Sequence, residues 1–158
     1  MRTVRLRLHV PHKSASDVYA ALADFERYPI LCEAVQDVAV TEVSENRTVS
    51  RWEVTFRAGL LRWTEEDTFD PGALSITFRQ LEGDIALFDG SWTCLDAAQG
   101  SEIVFSARLD MGIPSLADAL EPIAARTLTA NIVSIVRGLT GRAELVASDV
   151  AVPAGSAP

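Results

Sequence analysis

The stretch LRWTEEDTFD, residues 61–70, carries three consecutive acids, Glu65, Glu66 and Asp67, between Trp63 and Phe69. Read as a strand, whose side chains alternate between faces, it points Trp63, Glu65, Asp67 and Phe69 one way and Arg62 and Glu66 the other. Two readings stay open. Glu65 and Asp67 are solvated or paired with Arg51, Arg62 or Arg79, or they line a cavity walled by Trp52, Trp63, Phe69 and Phe78. In a cavity the acids lose water, which raises a carboxyl toward neutral pKa, and two on one face push each other's titrations apart. One is then protonated while the other is ionised, the requirement for general acid–base chemistry. Asn131 is a further candidate, because a polar side chain amid Leu128, Ile132 and Ile135 needs a buried partner. Trp52, Trp63 and Trp92 serve either as core or as walls for a flat ligand.

Other chemistries lack their residues. His9 and His12 have no ligand pattern around them, so no metal is expected. There is no Gly-rich phosphate loop, and GSWTC at 90–94 lacks the second glycine of a nucleophile elbow. No cofactor is expected. Cys32 and Cys94 read as small buried hydrophobes of a reducing compartment. The formal charge of −8, spread along the chain, opposes a nucleic-acid or anionic membrane partner. The opening MRTVRLRLHV alternates basic and apolar residues instead of forming a leader, and no run is long enough to span a membrane, so a cytoplasmic location is expected. At 158 residues, 48% hydrophobic and 23% charged, the chain has the size and balance of one globular domain.

The elements that must position these residues follow from periodicity. Val4, Leu6, Leu8 and Val10 alternate with Arg5, Arg7 and His9, a half-buried strand ended by Pro11. Ser14 and Asp17 have capping-box spacing ahead of a helix with Val18, Ala21 and Leu22, and a second short helix covers 25–31 around Pro29. Six β-rich runs follow at roughly 35–43, 48–57, 60–69, 74–81, 85–95 and 102–111, joined by turn signals that imply an antiparallel meander. Trp52, Val54 and Phe56 share its apolar face with Ile76, Phe78, Phe88, Trp92 and Phe105. A long helix starting near Ser115, with Pro122 kinking or dividing it, ends at Gly138 or Gly141 and covers that face with Leu120, Ala124, Thr127, Asn131 and Ile135. Residues 1–142 are read as the domain and 143–158, rich in Ala, Pro and Ser, as a flexible tail.

This order resembles the helix-grip fold of the START/SRPBCC (Bet v 1-like) superfamily: α+β, a seven-stranded antiparallel sheet wrapped around a long C-terminal helix, with two short helices between strands 1 and 2. FERYPILCEAVQDVAV resembles that superfamily's Tyr/Trp-Pro entry into its second strand, GDIALFDGSWTC its Gly-rich sixth strand, and ANIVSIVRGL its closing helix. Two branches are most similar, the polyketide cyclase/aromatases and the coenzyme Q-binding proteins. The first implies an internal pocket that receives a poly-β-ketone from an acyl carrier protein and promotes regiospecific aldol cyclisation and dehydration. Glu65, Asp67 and Asn131 are then the catalytic candidates, and Tyr28, Trp52, Trp63, Phe69, Phe78, Phe88, Trp92 and Thr127 the substrate-binding ones. Asn131 and Trp63 match pocket residues of those cyclases, and Tyr28 stands where they often have tryptophan. Asp67 stands where they place an arginine, and Val35 where they place a tyrosine, so their machinery does not transfer directly. The second branch implies a non-catalytic carrier of a quinone, lipid or other hydrophobic small molecule. A ribosome-associated regulator, a third relation, is opposed by the negative charge.

Overall fold

The computed structural model describes residues 1–57, 59–112 and 117–151. Strand β1, Arg2–Pro11, buries Val4, Leu6, Leu8 and Val10 completely, as its alternation requires. Helix α1, Ala15–Ala23, begins where the Ser14 hydroxyl accepts the Asp17 N–H at 3.1 Å. A 3-10 turn at Phe25–Arg27 leads into α2, Tyr28–Leu31, in which Pro29 occupies the first turn, where no N–H partner is needed. The Tyr28 hydroxyl donates to the Leu22 carbonyl at 2.6 Å and ties α2 to α1.

The meander comprises β2, Val35–Ser44; β3, Arg47–Phe56; β4, Gly59–Asp70; β5, Ser75–Gly83; β6, Leu87–Ala97; and β7, Gly100–Asp110. Helix α3, Ala117–Thr140, crosses the concave face, contains Pro122, and buries Ala124, Ala125, Ile132, Ile135 and Val136. Its expected start at Ser115 lies outside the described residues. It ends at Gly141, whose φ of 85° and N–H to the Arg137 carbonyl at 2.8 Å form a left-handed cap.

One expectation is overturned. The stretch read as the start of a flexible tail forms β8, Glu144–Ala151, antiparallel to β1, so the sheet has eight strands in the order β2-β3-β4-β5-β6-β7-β1-β8 rather than seven. Residues 144–149 are all exposed, so backbone pairing holds this edge strand without a buried face. An exposed edge leaves no apolar alternation to read. Glu66 and Arg62 lie on the outer face, as their parity requires: Glu66 pairs with its cross-strand neighbour Arg79 at 3.6 Å, and Arg62 with Glu53 at 3.0 Å. Among the described residues, no helix is long and apolar enough to cross a membrane.

The approach of α3 to α2 depends on Gly138. A Cβ there would lie 2.3 Å from the Leu31 carbonyl oxygen and 3.1 Å from Cys32 Sγ. Backbone cannot step aside as a side chain can. Gly138→Ala should therefore destabilise the protein by about 1–3 kcal/mol through overpacking. That sign opposes the gain of up to ~1 kcal/mol that helix propensity alone predicts. A lowered urea midpoint checks it, and a raised one would show that α3 can move away.

Candidate functional site

Between α3 and the concave face lies a narrow cavity of about 90 Å³, the space open to the centre of a water molecule. Its walls follow from period-two alternation on the strands: Trp52, Val54 and Phe56 from β3, Trp63 and Glu65 from β4, Phe78 from β5, Phe88 and Trp92 from β6. The rings touch in sequence. Trp52 and Trp63, opposite each other in register, stack at 6.0 Å with planes 5° apart, and Trp63 meets Phe88 edge-on at 5.6 Å. Phe25 and Tyr28 close one end against Trp52 at 5.2 and 5.3 Å.

Eight of the residues singled out from sequence line this space: Tyr28, Trp52, Trp63, Glu65, Phe78, Phe88, Trp92 and Asn131. Three do not. Asp67 is fully buried behind the wall. Phe69 packs on Phe25 at 5.5 Å and borders a separate surface depression with Tyr19 and Thr48. Thr127 is displaced because the lining residues of α3 are Ala124, Leu128, Asn131, Ile132 and Ile135, a stripe centred on Leu128 that leaves Thr127 about a quarter turn away.

The polar groups in and behind the wall make specific contacts. Glu65, 5% exposed, accepts the Trp63 indole N–H at 2.6 Å. Desolvation pushes its carboxyl well above the ordinary 4.5, and the hydrogen bond and negative charge of Asp67 push the same way, while the Trp63 bond opposes them. Asp67 Oδ2 accepts from Ser50 Oγ at 2.5 Å and Thr48 Oγ1 at 2.9 Å, and Ser50 Oγ in turn accepts the Trp52 indole N–H at 2.8 Å. Asn131 donates one amide hydrogen to the Thr55 carbonyl at 2.9 Å, which leaves its Oδ1 and second hydrogen for a ligand. Tyr28 has its proton committed to Leu22, and burial raises its phenol well above 10. It is a wall, not a standing donor. Burial likewise pushes the Cys32 and Cys94 thiols up to about 11 and about 12, which leaves them protonated and inert.

Sequence reasoning missed Ser50 and Thr48. The signal was present: both continue the inward face of Trp52, Val54 and Phe56, and folding the β3–β4 hairpin about its short turn sets Thr48 opposite Asp67 and Ser50 opposite Glu65. Gln80, opposite Glu65 on β5, was missed too.

Residues 11–135 match the family described as polyketide cyclase / dehydrase and lipid transport. The chain is 31% identical over 133 residues to the actinorhodin polyketide synthase bifunctional cyclase/dehydratase of Streptomyces coelicolor, a match that spans 79% of this chain but only 40% of that protein. Among solved structures, a protein of Thermus thermophilus superposes with a TM-score of 0.79 at 25% identity, covering 87% of this chain and 94% of its own. The Zhui aromatase/cyclase of Streptomyces sp. R1128 shares the fold at a TM-score of 0.76 and 18% identity, covering 88% and 92%.

The raised Glu65 carboxyl links stability to pH. The folded protein holds a proton there that the unfolded chain releases above about pH 4.5, so this contribution is full below that pH and is lost as pH rises through the folded value. Urea midpoints of wild type and Glu65→Gln, measured across pH, should diverge: wild type loses stability relative to the variant as pH increases from about 4.5. Parallel curves would mean that Glu65 titrates normally.

Proposed function

The chain belongs to the polyketide cyclase / dehydrase and lipid transport family, and on that premise we propose that it is a polyketide cyclase/aromatase: it binds a poly-β-ketone, delivered by an acyl carrier protein, in the aromatic cavity and promotes aldol closure and dehydration. The observation that carries this reading is Glu65. A nearly buried carboxyl, its proton favoured by desolvation, is the only acid among the described lining residues, whose walls are otherwise almost wholly apolar and hold no Lys, Arg or His.

Aldol closure forms a carbon–carbon bond as a methylene loses a proton and a ketone oxygen gains one. Glu65 gives its proton to the developing alkoxide and takes one back from the reacting methylene, so the site ends the step unchanged. Dehydration repeats the exchange: Glu65 protonates the departing hydroxyl, the C–O bond breaks, and the neighbouring C–H proton restores the acid. The remaining amide hydrogen of Asn131 holds a carbonyl oxygen at the α3 wall, where developing charge benefits from a fixed donor. The stacked Trp52–Trp63 pair and the edges of Phe78 and Phe88 favour a chain folded toward a planar ring.

A second reading rests on the same walls. With so little polar surface, the cavity also suits a non-catalytic carrier of a quinone or lipid, in line with the transport half of the family description. Reconstitution with a minimal polyketide synthase separates the two. We expect cyclised product to appear with this protein and to fall about 10²-fold or more in Glu65→Gln, the range for losing a general acid, while Glu66→Gln on the outer face leaves it unchanged. Unchanged product profiles over several chain lengths, with a quinone still bound, would favour the carrier.

A further inference from the structure

The wall behind Glu65 contains a hydrogen-bond deficit. Asp67 is fully buried, and its Oδ2 receives both hydroxyls, from Ser50 and Thr48, while its Oδ1 has no donor. A buried carboxylate oxygen without a donor is costly, because nothing replaces the water it has lost. Gln80, at the strand position paired with Glu65, shows a deficit of its own: its Nε2 donates to the Ile85 carbonyl at 2.6 Å, and its Oε1 is buried without a partner. Glu65 stands two residues from Asp67 on the same face of β4, within hydrogen-bonding reach, and its Oε1 is already occupied by the Trp63 N–H. Two carboxyls can bond to each other only when one carries a proton. The free Oε2 of Glu65 is the atom left to carry it.

We propose that Glu65 and Asp67 form one carboxyl pair sharing a single proton, borne by Glu65 Oε2 and donated to Asp67 Oδ1, with Asp67 as the positioning residue. Ser50 and Thr48 mark Asp67 as the anionic member, because hydroxyl donors stabilise a carboxylate. Trp52 orients Ser50 from behind, so each tryptophan of the stacked pair serves one member. Around the pair, β3 supplies Thr48 and Ser50, β5 supplies Phe78 and Gln80, and α3 supplies Asn131. From α2, the Tyr28 phenol feels the charge of both acids. Among the described residues, the cavity wall holds no Lys, Arg or His to compete for the proton. Asp67 touches no cavity space, so it acts through Glu65, keeping its proton in place and its carboxyl aimed.

This inference deepens the cyclase reading, in which Glu65 is the acid, yet its test needs no polyketide. Infrared difference spectroscopy of the ligand-free protein across pH reads the C=O stretch of a protonated carboxylic acid directly. At neutral pH wild type should show such a band, and Glu65→Gln should lose it. In Asp67→Asn the negative charge is gone and the amide can donate to Glu65, so the band should vanish at least one pH unit lower, a tenfold change in acid dissociation. Ser50→Ala removes a donor from Asp67 and should move the loss the other way, to higher pH. Opposite shifts are not the signature of general loosening, and either variant tests the pair if the other fails to fold. The proposal is overturned by a band retained in Glu65→Gln, by no wild-type band at neutral pH, or by identical titrations in wild type and the folded variants. If cyclisation is absent while the shifts appear, the cyclase reading fails and the pair stands. If cyclisation depends on Glu65 without the shifts, the reverse holds.

Discussion

A carboxyl cannot enter an apolar wall unless its oxygens find donors or its charge is removed, and that constraint organises this protein. On β4, Glu65 and Asp67 enter such a wall together. Their partners come from the same two strands: Trp63 from β4, and Ser50 and Thr48 from β3. A one-residue slip of the β3–β4 hairpin would turn Ser50 outward and Arg51 inward, leaving the acids without hydroxyl donors. The register of one hairpin thus sets both the polar wiring and the stacked indoles.

The rest of the fold keeps that wall closed. Tyr28 and Phe25 plug one end, with the Tyr28 hydroxyl spent on the Leu22 carbonyl, and Gly138 lets α3 lie against Leu31 and Cys32. Asn131 bridges α3 to the end of β3 through the Thr55 carbonyl. These contacts limit the water that reaches Glu65, and limited water is what raises its carboxyl above the ordinary range. Packing and chemistry have one cause here.

Much of the fold was legible in the sequence because burial imprints a period. Along β1, β3, β5 and β7 inward, mostly apolar residues alternate with outward polar ones, Ser14 announces α1, and the turn signals separate the meander strands. Where burial is absent the imprint vanishes: β8 has no buried face through 144–149, and it escaped notice. Thr127 was misplaced for a related reason. A helical stripe read from sequence has an uncertain centre, and the sheet selected the one through Leu128.

The sequence by itself determined that Glu65 and Asp67 share a face with Trp63, because strand geometry makes that a matter of parity. It did not determine that the two acids have different surroundings, Glu65 facing the cavity and Asp67 sealed behind the wall. Nor did it reveal that Ser50, Thr48 and Gln80 gather around them. Those facts belong to the tertiary structure, since desolvation and hydrogen bonding depend on what neighbouring strands and α3 bring within a few ångströms. Parity is local; solvent exclusion is made by the whole sheet and its covering helix.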